Sequence, residues 1–211
     1  MPRIVYKNAA GTKLPGVTTI IGILDKPALI SWAWKLGTEG IDWRTVRNKA
    51  GGVGTLAHYF CECDLTGVKP DPDVVKEYSP VDVSKAETAY IAYLEFRDSN
   101  KLTPIKTELA LVSEQYQFGG CIDCYAKILG KLTLLDFKTS KGIFPEMICQ
   151  VAAYKALLEE NGYPVEQVDI LQINKESGAF THHKMPDLTE YWLMFVDLIK
   201  VYNRKKNLWK R

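Results

Sequence analysis

Two short stretches near the middle of the chain decide its fold: GGCID at positions 119–123 and LLDFKT at positions 134–139. Successive side chains of a strand point to opposite faces, so Asp136 and Lys138 share one face while their apolar neighbours enter the opposite layer. A carboxylate and an ammonium are costly to bury in an otherwise apolar strand unless each has a partner. The second stretch therefore predicts a buried strand that carries paired polar groups.

A second carboxylate is expected beside Asp136. Asp123 lies on the preceding predicted strand, and a hairpin between the two strands would bring the two aspartates close together. Neighbouring carboxylates repel each other unless a cation lies between them, and ligands that are all oxygen favour Mg²⁺ or Mn²⁺ over zinc. Glu108, one strand earlier, is a third candidate carboxylate. The alternative is a surface hairpin with a cross-strand Asp–Lys ion pair, which the leucines at positions 134 and 135 disfavour.

Two helical motifs flank these strands. Gln150 and Tyr154 are four residues apart, hence on one face of a helix that begins soon after Lys138 and can face the strand ends. Tyr154 could equally pack in the core. His58 and Glu62 have the same spacing upstream, and taken alone they favour a local His–Glu pair.

The order of the predicted elements indicates the fold class. The chain up to residue 100 is predicted to be mostly helical, with a turn at residues 51–54 and a helix over 84–98 that Ser84 caps. Beyond it, the apolar pattern predicts three strands, a helix, a strand and a helix, over residues 105–112, 118–128, 132–139, 145–160, 168–173 and 188–202. This order predicts an α/β protein whose mixed sheet is flanked by helices.

Length and composition limit the class of protein. The 211 residues are 46% hydrophobic and 25% charged, which predicts one globular domain with a helical part at 1–100 and an α/β core at 101–211. No stretch approaches the roughly 18 apolar residues of a membrane span, and the N-terminus lacks the apolar run of a secretory signal. The five cysteines are an odd number, which argues against a disulfide framework. We therefore expect a cytoplasmic protein without a membrane partner.

The net charge of +2 neither requires nor excludes a nucleic-acid partner, but the distribution of basic residues is informative. Between residues 26 and 49, basic side chains are interleaved with three tryptophans. Basic groups attract phosphates and flat aromatic rings stack on bases, so Trp43, Arg44 and Arg47 are candidates for contacts with nucleic acid. The alternative, weighted equally, is that the two earlier tryptophans, Trp32 and Trp34, belong to the core.

In combination, these residues resemble the PD-(D/E)xK nuclease superfamily, in its RecB-like branch. That family has, in order, a Gly-x-His-type helix, a Glu strand, a Gly-x-x-Asp strand, an Asp-x-Lys strand and a Gln-x-x-x-Tyr helix. The matching residues here are His58, Glu108, Gly120 to Asp123, Asp136 to Lys138, and Gln150 to Tyr154. The resemblance covers residues 54–175, and residues 15–27 look like phage-type exonucleases and the mitochondrial genome-maintenance exonuclease. Position 136 holds Asp rather than Glu, which the superfamily tolerates.

The resemblance implies a restriction-endonuclease-like core and a metal-dependent DNA exonuclease that hydrolyses phosphodiester bonds, preferring single-stranded DNA or frayed ends. One or two Mg²⁺ or Mn²⁺ ions are implied as cofactors. The catalytic positions of the family fall on Asp123, Asp136 and Lys138. The two carboxylates and the backbone carbonyl of Phe137 would bind the principal ion. Lys138 would orient or deprotonate the attacking water, with its pKa lowered by burial or its charge held near the phosphate.

The other matching positions take supporting roles in the same resemblance. His58 would contribute to a second metal site, and Glu108 to the same cluster or its outer shell. Gln150 and Tyr154 would position the DNA backbone near the scissile phosphate. Thr139 would hold the strand end or bind phosphate.

Several alternatives stay open at the level of the sequence. The enzyme could instead be a structure-specific or sequence-specific DNA endonuclease, or the chain could be a non-catalytic DNA-binding subunit of a recombination or repair complex. An iron–sulfur cluster, which some RecB-like relatives carry, is not expected, because no cysteine follows Cys149. Residues 26–49 would form a helical wall or gate over the active site. Strand polarity, oligomeric state and a viral or cellular origin are left open.

Overall fold

The computed structural model describes residues 4–140, 142–174, 176–177 and 179–208, without the side chains of residues 49 and 50. Its helices are α1 (Val17–Ile21), α2 (Pro27–Thr38), α3 (Trp43–Thr66), α4 (Pro72–Lys76), α5 (Pro80–Ser99), α6 (Pro145–Glu160) and α7 (Thr189–Leu208). Its strands are β1 (Thr103–Ser113), β2 (Phe118–Ile128), β3 (Lys131–Lys138), β4 (Gln167–Ile173) and β5 (Phe180–Lys184). None of the helices in these described ranges is long and apolar enough to cross a membrane.

The strands form one mixed sheet in the order β1-β2-β3-β4-β5. Strands β1, β2 and β3 are consecutive and antiparallel, because the connections between them are short turns. Strand β4 lies parallel to β3, so the chain needs a crossover connection, and α6 provides it. Strand β5 returns antiparallel to β4 at the edge of the sheet. The predicted α/β class with a mixed sheet flanked by helices is confirmed.

Helices cover both faces of the sheet, and each face has its own hydrophobic core. The α6 core joins the sheet to α1, α6 and α7, and Phe118 and Phe195 are fully buried in it. The α3 core joins the opposite face to α3 and α5 through buried side chains such as Leu56 and Phe96. Each such side chain stabilises the fold by roughly 1.5–3 kcal/mol of transfer free energy. Burial on both faces explains why β3 and β4 are apolar along most of their length.

Helix α3 differs from the prediction, because it runs without interruption through residues 51–54, where a turn was expected. The glycines there weaken the helix, but Val53 and the apolar residues that follow it are buried in the α3 core and hold it in place. The helix begins after Asp42, whose carboxylate accepts a hydrogen bond of 2.9 Å from a backbone N–H of the first turn. It ends at Thr66, and the next residue, Gly67, caps it with the left-handed backbone that favours glycine at this position.

Helix α5 begins about one turn earlier than predicted. Ser79, not Ser84, caps it by accepting a hydrogen bond of 3.2 Å from the backbone N–H of Asp82. Pro80 occupies the first helical position, where its fixed φ suits the helix and its missing N–H costs nothing. The structure also contains α1, α4 and β5, which the sequence pattern did not predict.

Candidate active site at the ends of β2 and β3

The side-chain alternation of β2 breaks at Asp123. Ile122 packs in the α6 core, whereas Cys124, two residues further on, packs in the α3 core. A regular strand would place both residues on one face. Opposite this point on β1, Glu108 has a left-handed backbone with φ 45°, which is uncommon for a residue other than glycine. Asp123 lies at this irregularity, and irregularities of this kind are common next to functional sites, where they redirect a side chain.

Asp123 lies where the regular pairing of β2 and β3 ends. The last paired residues are Cys124 and Leu135. Beyond them, the Asp123 Oδ2 atom accepts a hydrogen bond of 3.0 Å from the backbone N–H of Phe137, so the carboxylate holds the end of β3 where the ladder has stopped. The Asp123 side chain keeps 18% of its surface exposed, and a ligand can reach it from solvent.

Asp136 and Lys138 form a buried ion pair at the end of β3. Asp136 is only 1% exposed, and the Lys138 ammonium contacts its Oδ2 atom. The Oδ1 atom of Asp136 has no hydrogen-bond partner among the described residues. Leu135 and Phe137 are buried in the α3 core, as the alternation predicted. The alternative of a surface hairpin is wrong, because Asp136 is buried and its partner comes from the same strand.

Opposing electrostatic effects set the charges of this pair. Burial raises the pKa of Asp136 to about 6, against the effect of the Lys138 ammonium, and the nearby Asp123 carboxylate raises it as well. Burial alone would lower the pKa of Lys138, but the Asp136 and Asp123 carboxylates outweigh it, so that pKa lies above its ordinary value. Lys138 is therefore an ammonium at neutral pH. Without a bound ion, the direction of this shift favours the alternative of a retained charge over a lowered pKa.

Helix α3 brings His58 to the carboxylates. The imidazole Nδ1 atom lies 3.7 Å from Asp123 Oδ2, and the ring packs edge-on against Phe137 with 5.8 Å between the centroids. One turn earlier, Gly54 allows the helix to approach the end of β3, because a Cβ atom there would lie 2.7 Å from Thr139 Oγ1. Thr139 therefore contacts α3 and fixes the distance between that helix and the strand.

Glu108 faces a thiol on the neighbouring strand, with Cys121 Sγ 3.3 Å from Glu108 Oε2. Burial raises the pKa of Glu108, and the charge of Asp123 raises it further. Burial and then the Glu108 carboxylate raise the pKa of Cys121 to about 12, so the thiol keeps its proton and donates a hydrogen bond to the carboxylate. The structure thus places Glu108 beside Asp123. It also gives Glu108 a hydrogen-bond partner, Cys121, that the residue spacing did not predict.

Helix α6 places Gln150 and Tyr154 on the same side of the sheet as Gly120. The amide of Gln150 donates a hydrogen bond of 2.8 Å to the Tyr154 hydroxyl. Burial is the main cause of the raised pKa of Tyr154, and the Asp123 and Asp136 carboxylates add to it. A Cβ atom at Gly120 would lie 2.7 Å from the Tyr154 ring, so the glycine allows the helix to pack directly on β2. Tyr154 is thus a packing residue that also lies near both aspartates.

The predicted substrate contacts at Trp43, Arg44 and Arg47 lie apart from the carboxylates. The guanidinium carbons of Arg44 and Arg47 are 5.7 Å and 5.0 Å from the centroid of the half-buried Trp43 ring. Fifteen residues of α3 separate Trp43 from His58, which corresponds to about 22 Å along a helix. The alternative that the two earlier tryptophans belong to the core is wrong for Trp34. This side chain is 72% exposed, on the helix α2, which buries no residue.

The structure adds polar residues that the sequence did not point to. Gln172 on β4 pairs in register with Lys138 and donates a hydrogen bond of 3.1 Å to the carbonyl oxygen of Ser140. Its other amide atom, Oε1, lies 3.0 Å from His183 Nε2. A lone glutamine in an apolar strand is no motif, and His183 lies on β5, which was not predicted. The sequence therefore offered no signal for this group.

The oxygen donors at the site fit a hard divalent cation. Asp123 and Asp136 contribute carboxylates, and Asp136 Oδ1 is a buried acceptor without a partner in the described part of the chain. Within the described ranges, no three His, Cys, Asp or Glu side chains are arranged to hold an ion by themselves. Mg²⁺ suits such a partial site, because one or two carboxylates commonly bind it while water and phosphate oxygens complete its shell.

Comparison with known structures identifies the fold at low sequence identity. A Eubacterium rectale protein described as a "putative exonuclease" aligns with a TM-score of 0.50 and 11% identity, over 72% of this chain and 65% of that one. Two crystal structures of an alkaline exonuclease from Laribacter hongkongensis, one in complex with dAMP, align with a TM-score of 0.36 and 14% identity. They cover 75% of this chain and 91% of theirs. No protein-family model and no curated protein sequence matches the chain. The Eubacterium rectale structure confirms the predicted restriction-endonuclease-like fold, a mixed central sheet flanked by helices.

Proposed function

We propose that the chain is a metal-dependent DNA exonuclease that hydrolyses phosphodiester bonds and prefers single-stranded DNA or frayed ends. The observation that carries the proposal is the group formed by Asp123, Asp136 and Lys138 at the ends of two adjacent strands. A buried carboxylate oxygen without a partner is costly to the folded protein, and a bound ligand would account for it. The exonuclease description of the Eubacterium rectale protein with this fold supports the same proposal.

The proposed cofactor is Mg²⁺ or Mn²⁺, as one or two ions. Asp123 and Asp136 would hold the principal ion, with the backbone carbonyl of Phe137 as a further ligand. When bound, such an ion supplies Lewis-acid activation of the phosphate and of a water molecule. His58, which lies 3.7 Å from Asp123, would contribute to a second ion site, and Glu108 to the same cluster or its outer shell.

Lys138 would act through its positive charge. The Asp136 and Asp123 carboxylates raise its pKa, which favours the ammonium form, and an ammonium is a hydrogen-bond donor. It would therefore hold a phosphate oxygen and orient the attacking water through its N–H groups. Asp136 keeps the ammonium in place, since the two groups form an ion pair along the same strand.

The DNA strand would pass over the solvent-exposed side of this site, at Asp123. Gln150 and Tyr154 on α6 would position the DNA backbone near the scissile phosphate, and Thr139, directly after β3, would hold the strand end or bind phosphate. Trp43, Arg44 and Arg47 would contact the strand further away, about 22 Å along α3 and thus several nucleotides from the chemistry. Stacking on aromatic rings tolerates any base, which suits an enzyme without sequence specificity.

Degradation of end-labelled DNA tests the proposal directly. Linear single strands labelled at either end, and a circular single strand, are incubated with Mg²⁺, with Mn²⁺ or with EDTA. We expect the linear strands alone to be degraded, only with a metal ion, and we expect Lys138→Ala to abolish the reaction. The label that is released early as a small product gives the polarity. Lys155→Ala, which removes a lysine from a surface ion pair with Glu159, is the matched control.

The outcomes separate the alternatives. Cleavage of the circle would identify an endonuclease, and DNA binding without cleavage would favour a non-catalytic subunit. Wild-type turnover by a folded Lys138→Ala protein would contradict the role of Lys138. Circular dichroism checks that the variant folds. If it does not, the double variant Asp136→Asn/Lys138→Met, which removes both buried charges, tests the two residues as a unit, and wild-type turnover by that variant would contradict the roles of both.

A further inference from the structure

A short chain of hydrogen bonds runs from the end of β3 to the edge of the sheet. Gln172 lies beside Lys138 in the parallel pair of β3 and β4, so their side chains share a face. The Gln172 amide spans two partners: Nε2 donates to the Ser140 carbonyl oxygen at 3.1 Å, and Oε1 is 3.0 Å from His183 Nε2. The half-buried Gln172 thus connects the segment after Lys138 to β5.

The direction of each hydrogen bond is fixed along this chain. A backbone carbonyl can only accept, so the NH₂ group of Gln172 must face Ser140. Its Oε1 atom is then an acceptor, and His183 must present a protonated Nε2 atom to it. The Ser140 carbonyl therefore sets the orientation of the amide, and His183 holds its other end at Oε1. A side chain at position 183 without a donor would remove one of the two hydrogen bonds that hold the amide in place.

Ser140 connects the two halves of the site. Its carbonyl is held by Gln172, and its hydroxyl donates a hydrogen bond of 2.7 Å to the Gly142 carbonyl and lies 3.9 Å from the Met147 sulfur on α6. Strand β3 carries Asp136 and Lys138, whereas α6 carries Gln150. The position of Ser140 therefore sets the distance between the proposed catalytic strand and the helix that borders it.

We infer that Gln172 and His183 are positioning residues of the active site. Gln172 holds the backbone at which β3 leaves the sheet, and His183 holds the far end of the Gln172 amide through Oε1. The inference rests on the proposed nuclease function for its effect on catalysis, but the effect on the backbone after Lys138 is independent of it. Neither residue touches the reacting atoms.

Paired substitutions test the catalytic part. Gln172→Met keeps the side-chain length but removes both hydrogen bonds, and we expect kcat to fall by about 10- to 100-fold while KM changes little, since a small displacement of reacting groups has such an effect. His183→Leu removes the donor and should lower kcat as well, whereas His183→Gln supplies an amide donor and should restore most of the activity. Gln167→Met is the matched control, because Gln167 lies on the same strand and binds Asp169, away from the site.

Amide hydrogen exchange tests the backbone part without any need for activity. In Gln172→Met and His183→Leu, the amides of Thr139, Ser140 and Gly142 should exchange faster than in the wild type, and in Gln167→Met they should not. Unchanged exchange and unchanged kcat in Gln172→Met would overturn the inference. A wild-type protein without nuclease activity would contradict the proposed function alone, and faster exchange in the two variants would still support the positioning role.

Discussion

The ion pair of Asp136 and Lys138 is a costly way to fill the end of a buried strand. Removing two charges from water costs several kcal/mol each, and a pair of neutral side chains of similar volume is often as stable or more stable. The pair also leaves one carboxylate oxygen of Asp136 without a hydrogen-bond partner in the described part of the chain. A role in binding and chemistry explains these residues better than a role in stability.

Breaking this pair on one side should destabilise the metal-free protein in a pH-dependent way. In Lys138→Met, Asp136 keeps its charge without a partner, and we expect a loss of roughly 3–5 kcal/mol in the free energy of unfolding at pH 8. The pKa of Asp136, already about 6 in the folded wild type, lies above its value of about 3.9 in an unfolded chain. The folded state therefore binds the proton more tightly, and stability falls as pH rises through the folded pKa.

Urea denaturation in EDTA at pH 5 and pH 8 measures this effect. The free energy of unfolding of Lys138→Met should fall between pH 5 and pH 8, whereas that of Asp136→Asn/Lys138→Met, which has no charge left at this pair, should change much less. Equal stability of Lys138→Met at both pH values would mean that Asp136 is not a buried charge.

His58 should matter through Asp123 and the proposed metal ion. Its imidazole is 3.7 Å from the Asp123 carboxylate, in reach of an ion that this carboxylate would hold. We expect His58→Ala to reduce Mg²⁺-dependent cleavage by about 10- to 100-fold and Mn²⁺ to restore part of it. Titration of activity with each metal measures the change. A metal titration identical to that of the wild type would instead assign His58 a structural role beside Asp123.

Among the elements, the contact between α3 and the end of β3 controls the position of His58. It depends on Gly54, where a Cβ atom would lie 2.7 Å from Thr139 Oγ1, whereas a Cβ atom at Gly51 on the same helix would meet nothing within 4 Å. Gly51→Ala should therefore stabilise the protein by up to about 1 kcal/mol through helix propensity. In Gly54→Ala, the clash of the new Cβ atom with Thr139 Oγ1 should cancel the gain in helix propensity and displace α3 from the end of β3.

Thermal melts and cleavage assays of these variants test the contact. We expect Gly54→Ala to lower both melting temperature and kcat, and Thr139→Ala to relieve part of the loss when the two are combined, because it removes the clashing oxygen. The double-mutant cycle gives the coupling between the two positions. Additive effects would show that α3 does not rest on Thr139.

The elements also show which parts of the fold the sequence could predict. Strand β2 has the predicted bounds, because its apolar pattern is strong and turns flank it on both sides. The glycines at 51–54 indicated a turn, yet tertiary packing of α3 overrides their low helix propensity. Strand β5 was missed, because five residues that include two histidines carry no apolar alternation. Both errors come from contacts that a local pattern does not contain.

The residues of the site were predictable only where the side chains follow the regular alternation of a strand. Alternation along β3 places Asp136 and Lys138 together, and that prediction depends on local residues alone. The left-handed backbone of Glu108 and the change of face at Asp123 break the regular period, and no residue type at these positions indicates them. The contact of Gln172 with Ser140 requires the parallel pairing of β3 and β4, which is a property of the whole sheet.

At the scale of the molecule, one hydrophobic core lies on each face of the sheet, and residues 27–47 belong to neither core. Helix α2 buries none of its residues, and Trp34 and Ile30 are among its exposed side chains. At the start of α3, Arg44 and Arg47 lie over the ring of Trp43. A segment that contributes so little to the core can be altered with a small effect on folding, so its role in binding can be measured separately.

The arginines beside Trp43 should contribute to DNA affinity in proportion to the phosphates that they neutralise. For single strands, the logarithm of the association constant falls with the logarithm of salt concentration by about 0.7 per phosphate contact. We expect Arg44→Ala/Arg47→Ala to reduce this slope by about 1 to 1.4 and to raise KM, with an unchanged melting temperature. Fluorescence anisotropy of a labelled oligonucleotide in EDTA, across a salt series, measures the slope. The matched control is Lys76→Ala, in a surface ion pair with Asp73 on α4. An unchanged slope in the arginine variant would place the path of the strand elsewhere on the protein.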